Sequence, residues 1–124
     1  MIFLSCPYSS PIPMRPYERL DDYLIADVFL MRQGVHTVGT LHKMFNEKVL
    51  GHEEMDVTWE YWKEYTYDLI NGCDELYVLC LDGWKDSKGV TDEIAYAKEH
   101  GKPVRYVNLS FNGDENNHEL EIHD

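Results

Sequence analysis

Short apolar runs alternate along this chain with longer stretches whose apolar residues stand three and four apart. Ile2–Ser5 is the first run, stopped at Cys6-Pro7, and predicts a buried strand. Tyr8–Pro16 holds three prolines and two serines and predicts a loop. Over Glu18–Gly34 the residues Leu20, Tyr23, Leu24, Asp27, Val28 and Met31 recur at helical spacing, and Gly34 closes the helix. Val35–Thr40 is rich in β-branched residues and predicts a second strand. Leu41–Asp56 has no clean period and predicts a loop with at most a turn of helix. Val57–Asn71 predicts a helix ended by Asn71-Gly72. Glu75–Leu81 is almost continuously apolar, as in a strand covered on both faces. Asp82–Gly89 predicts a loop, Val90–His100 a helix with Gly101 after it, and Pro103–Leu109 a fourth strand. In the acidic tail from Ser110, Leu120 and Ile122 alternate with polar residues; the tail is an edge strand or loose.

This alternation of strand and helix predicts one α/β domain over residues 1–124, with a parallel sheet of four or five strands between helices. Ligands of such sheets bind at the carboxyl ends of the strands. The informative segments are therefore Cys6–Arg19, Thr40–Asp56, Asp82–Glu93 and the residues beyond Leu109.

Composition narrows the partners. The 124 residues are 44% hydrophobic, enough for a core, and their formal net charge is −12. That field opposes a nucleic acid polymer or an anionic membrane surface. A small anion held by a few local donors remains compatible with it. The three cysteines form no disulfide pattern and read as reduced thiols. Leu4-Ser5-Cys6 has a lipoprotein-like look, but no basic segment precedes it and the apolar run is short for a signal peptide. With no apolar stretch of bilayer length, a cytoplasmic protein is expected. The six histidines make no ligand motif, so no metal is expected.

Several residues can carry chemistry. Ser87, Gly89 and Thr91 precede or open a helix, where free N–H groups and hydroxyls suit an oxyanion; capping is the ordinary alternative. Trp84 in the same loop is a rim residue over a site or a packing residue. On the helix Val57–Asn71, Trp59, Trp62, Thr66 and Leu69 form one stripe, read as core, and Tyr61, Tyr65 and Asp68 another. An acid ending an aromatic stripe can be partly desolvated, which suits a general acid; an ordinary exposed aspartate near a helix end is the alternative. Asp68 and Glu93 lie on helices flanking one strand, and two carboxylates can divide the cleavage of a glycosidic bond between them. In the first loop and helix, Tyr8, Ser9, Ser10, Arg15 and Arg19 are candidate substrate contacts, the last four as anion donors; for Arg19 a solvated helix face is the alternative.

Three segments resemble the nucleoside 2-deoxyribosyltransferase superfamily, which includes the nucleoside 5'-monophosphate N-glycosidases. Ile2-Phe3-Leu4-Ser5-Cys6-Pro7-Tyr8 is similar to its first strand and loop. Tyr67-Asp68-Leu69-Ile70-Asn71-Gly72-Cys73-Asp74 resembles the segment with its catalytic aspartate, and Ser87-Lys88-Gly89-Val90-Thr91-Asp92-Glu93-Ile94-Ala95-Tyr96-Ala97 the one with its nucleophilic glutamate. The likeness spans Met1 to about Leu109 and is nearest to a bacterial and phage branch with the Gly-Trp-Lys-Asp-Ser loop. It implies a flavodoxin-like three-layer fold, no cofactor, and a dimer or larger homo-oligomer. It implies Glu93 as nucleophile at the anomeric carbon and Asp68 as proton donor to the departing base. It implies a nucleotide or nucleoside substrate, with Ser87 and Gly89 favouring a 5'-phosphate and hydrolysis over base exchange. Phe3 stands where the family has a tyrosine that orients the nucleophile, and Ala95 where it has a glycine.

Two other classes compete. A non-catalytic nucleotide-binding module would keep the pocket without turnover. A flavodoxin-like electron carrier would need a phosphate loop, and none is evident.

Overall fold

The computed structural model of the chain describes residues 1–7, 16–41, 59–111 and 118–124. In order these form β1 (Ile2–Ser5), α1 (Pro16–Arg32), β2 (Thr37–Val38), α2 (Trp59–Asn71), β3 (Glu75–Leu79), a 3-10 turn (Trp84–Asp86), α3 (Lys88–Glu99), β4 (Val104–Phe111) and β5 (His118–His123).

Local chemistry sets the ends of these elements. Gly34 adopts φ 83°, its N–H reaches the Met31 carbonyl, and the Val35 N–H reaches back to Leu30. This αL cap closes α1 and takes Val35 out of the predicted second strand. β2 is consequently two residues long rather than Val35–Thr40. Gly101 repeats the cap after α3: at φ 72° its N–H bonds to Lys98, and the Lys102 N–H bonds to Ala97. α3 starts at Lys88, two residues before the predicted start, because Ser87 caps it by accepting from the Val90 N–H. β3 stops at Leu79, where the Leu81 N–H turns back to the Leu79 carbonyl.

The five strands form one sheet in the order β2-β1-β3-β4-β5. The β1–β2, β1–β3 and β3–β4 pairs are parallel. The pair β4–β5 is antiparallel, with Val107 opposite Ile122 and Leu109 opposite Leu120. This corrects the all-parallel expectation. A parallel return needs a crossover of a dozen or more residues, and residues 112–117 are too few to make one.

Side chains alternate across the sheet into two cores. Leu4, Tyr77, Leu79 and Val107 pack with Tyr23, Ala26 and Leu30 of α1. Phe3, Leu76 and Val78 pack on the other face with Ile70 of α2 and Val90 and Ala97 of α3. Both faces of β3 are therefore covered, which accounts for its unbroken apolar run. The chain leaves β1 toward one neighbour and β3 toward the other, so a switch point falls between the carboxyl ends of β1 and β3.

Candidate active site

Glu93 occupies a position that the pattern of α3 reserves for an apolar residue. Val90, Glu93 and Ala97 are the buried residues of that helix, on one stripe facing the sheet. Glu93 is 6% exposed. The Ser5 hydroxyl, at the carboxyl end of β1, donates to Glu93 Oε2 at 2.9 Å. Ser5 is itself fully buried, and among the described residues it is the hydrogen-bond partner of this carboxyl. Burial pushes the Glu93 carboxyl up to about 8, the Ser5 bond opposes that rise, and the neighbouring Asp92 charge adds to it. Near neutral pH the side chain is thus mostly a neutral acid.

The residues of the loop after β3 gather near the start of α3. Ser87 caps the helix through its Oγ, 3.3 Å from the Val90 N–H. Its hydroxyl proton is still available to an acceptor. Gly89 sits in the first turn, where backbone N–H groups lack intrahelical partners. Trp84 is half-buried, its ring 5.5 Å from that of Tyr106, with the Lys85 ammonium over its own ring. It packs against the α3-side core.

Asp68 is placed differently from the expectation. Thr66 and Ile70 turn toward the sheet and are buried, and Tyr67 turns to α3, stacking on Tyr96 at 4.0 Å. Asp68 lies about 200° around α2 from Thr66 and is exposed. It therefore lies on the solvent side of α2. The helix pairing itself is well defined: Lys88 meets Glu60 at 3.2 Å at one end, and Asn71 Nδ2 donates to the Tyr96 hydroxyl at 2.7 Å at the other.

Tyr8, Ser9, Ser10 and Arg15 lie outside the described residues, as does the side chain of Arg19 on α1. The predicted loop Leu41–Asp56 falls outside them from residue 42 onward.

The polar roles of three buried residues escaped the sequence reading. Ser5 read as a strand residue; its signal was its place two residues after Phe3, on the same face of β1. Tyr23 read as an apolar helix position. It is fully buried, and burial, then the charges of Asp27, Cys6, Glu93 and Tyr65, push its hydroxyl far above the ordinary tyrosine value. Thr66 read as core, yet it is hydrogen-bonded to Thr40 through their hydroxyls. None of the three cysteines is in a disulfide; Cys73 is buried and the other two are half-buried. Among the described residues, no three His, Cys, Asp or Glu side chains are placed to hold a metal ion.

A family profile described as a domain of unknown function (DUF4406) matches residues 32–106. The chain belongs to the DUF4406 family. The part shared with DUF4406 runs from the last residue of α1 into β4, and so contains Asp68, Trp84, Ser87, Gly89 and Glu93. Ser5 precedes it. No curated protein matches the chain. No helix among its described residues is long and apolar enough to cross a membrane.

Proposed function

We propose that this DUF4406 chain has a flavodoxin-like fold and cleaves the N-glycosidic bond of a nucleoside 5'-monophosphate or nucleoside. The observation that carries the reading is the Glu93 carboxyl, buried beside the switch point and held by Ser5. A carboxyl in an apolar stripe costs stability, and a reactive role explains its presence there.

The ionised Glu93 attacks the anomeric carbon while the carbon–nitrogen bond breaks and its electron pair leaves with the base. Asp68 supplies the proton that the base needs, reaching it from the exposed face of α2. Water then cleaves the glycosyl ester and restores Glu93, or a second base takes the sugar. Ser87 and the N–H groups around Gly89 hold the 5'-phosphate at the start of α3. Tyr8, Ser9 and Arg19 complete the substrate contacts, and Trp84 backs the phosphate loop.

The test is a product assay with ribo- and deoxyribonucleosides and their 5'-monophosphates, read as free base by chromatography. Glu93→Ala is expected to abolish release while the protein stays folded, and Asp68→Asn to slow it. Turnover retained by Glu93→Ala overturns the reading.

One observation favours a second reading, a nucleotide-binding module. Glu93, its carboxyl raised to about 8 by burial, is neutral near pH 7 and so a hydrogen-bond donor rather than a nucleophile. It expects thermal stabilisation by a nucleotide with no product.

A further inference from the structure

We propose that Ser5 is the positioning residue of the site, and that its hydroxyl selects which oxygen of Glu93 faces the substrate. This rests on the reading of Glu93 as the reacting carboxyl. β1 presents Phe3 and Ser5 to the α3 side of the sheet, two residues apart. Phe3 is 1% exposed, packed in the α3-side core, and offers no polar atom. Ser5, one step nearer the carboxyl end, supplies the donor that this strand face otherwise lacks, 2.9 Å from Oε2.

A serine so placed does two things. Holding Oε2 fixes the carboxyl plane, so Oε1 is the oxygen left to form the new bond; a fixed near-attack geometry is worth orders of magnitude in rate. Donating to Oε2 also stabilises the ionised form against burial. Among the described residues, the titratable groups around Glu93 leave that task to Ser5. Asp92 on α3 opposes ionisation. Burial first, then neighbouring charges with Glu93 among them, push the hydroxyls of Tyr23 on α1 and Tyr67 on α2 up.

The experiment follows the Glu93 side-chain carboxyl carbon by NMR through a pH titration, assigned by its loss in Glu93→Gln. Ser5→Ala and Ser5→Cys are compared with the unmutated protein, since the thiol keeps the volume and donates weakly. Both are expected to titrate about one pH unit higher or more, while Ser5→Thr stays near the unmutated midpoint. For any nucleotide that the protein cleaves, the acid limb of kcat moves up with that midpoint and KM is unchanged. A merely structural serine would lower the unfolding temperature without moving the Glu93 midpoint, and that result in either folded variant overturns the proposal. If Ser5→Ala does not fold, Ser5→Cys decides. Absence of base release by the unmutated protein overturns the glycosidase reading instead, and the titration still decides whether Ser5 governs Glu93.

Discussion

Thr66 on α2 and Thr40 just beyond β2 hold their hydroxyl oxygens 2.8 Å apart. Thr66 is completely buried and Thr40 half-buried, so this bond ties α2 to the carboxyl end of the edge strand from inside. Thr66→Val keeps the shape and strands the Thr40 hydroxyl. It is expected to lower stability by about 1–2 kcal/mol. Replacing both threonines by valine recovers part of the loss, since neither hydroxyl is then left buried without its partner. Urea denaturation midpoints of the two single variants and the double variant test this coupling.

Gly39 is required by its neighbours. A Cβ there would lie 2.8 Å from the Leu4 carbonyl oxygen and run into the Tyr23 hydroxyl. Neither the backbone of a central strand nor a fully buried ring can retreat far. Gly39→Ala is expected to cost about 1–3 kcal/mol. Adding Tyr23→Phe removes one of the two clashes, so the double variant should be less unstable than the two single losses summed. Strict additivity in thermal unfolding would show that the crowding is relieved elsewhere.

Glu93 makes stability fall with pH. Its folded midpoint near 8 lies above the ordinary carboxylate value, so the native state keeps a proton that the unfolded chain gives up. The contribution is fully present below the ordinary carboxylate range, shrinks as pH rises toward about 8, and is gone above it. The slope is at most about 1.4 kcal/mol per pH unit. Glu93→Gln should lose this decline and exceed the unmutated protein in stability at pH 8. Unfolding midpoints between pH 5 and 9 read it directly; parallel curves for the two proteins would be the contrary result.

Lys102 fastens the end of α2. Its ammonium donates to the Cys73 carbonyl at 2.7 Å and to that of Asn71 at 3.3 Å, where the helix leaves carbonyls unpaired. Lys102→Met retains the stem and removes the donors. A loss of about 1 kcal/mol is expected, with hydrogen exchange quickening first around Gly72 and Cys73. Uniform exchange rates across α2 would contradict a local cap.

The strands of this fold were legible where a single local cause decides them. The continuous run through β3 requires cover on both faces, and Gly34 and Gly101 mark helix ends that αL caps enforce. What the pattern missed was set by distant contacts. The shortness of β2 follows from Val35 joining the α1 cap and from Gly39 meeting Leu4 and Tyr23. Glu93 was legible as a candidate; the hydroxyl that holds it was not, because a serine ending a strand has no periodic signature. For Asp68 an aromatic stripe suggested burial, but helix geometry turned its neighbours Thr66 and Ile70 inward and left the acid outside.

The two borders of the sheet bear on how copies of this chain can meet. β2 is only two residues long, and β5 at the opposite border carries Glu121, exposed on the strand. A short border strand gives an incoming strand little to pair with, and a charged one repels its own copy. Both features oppose strand addition, the usual route from a folded sheet to fibrous aggregates.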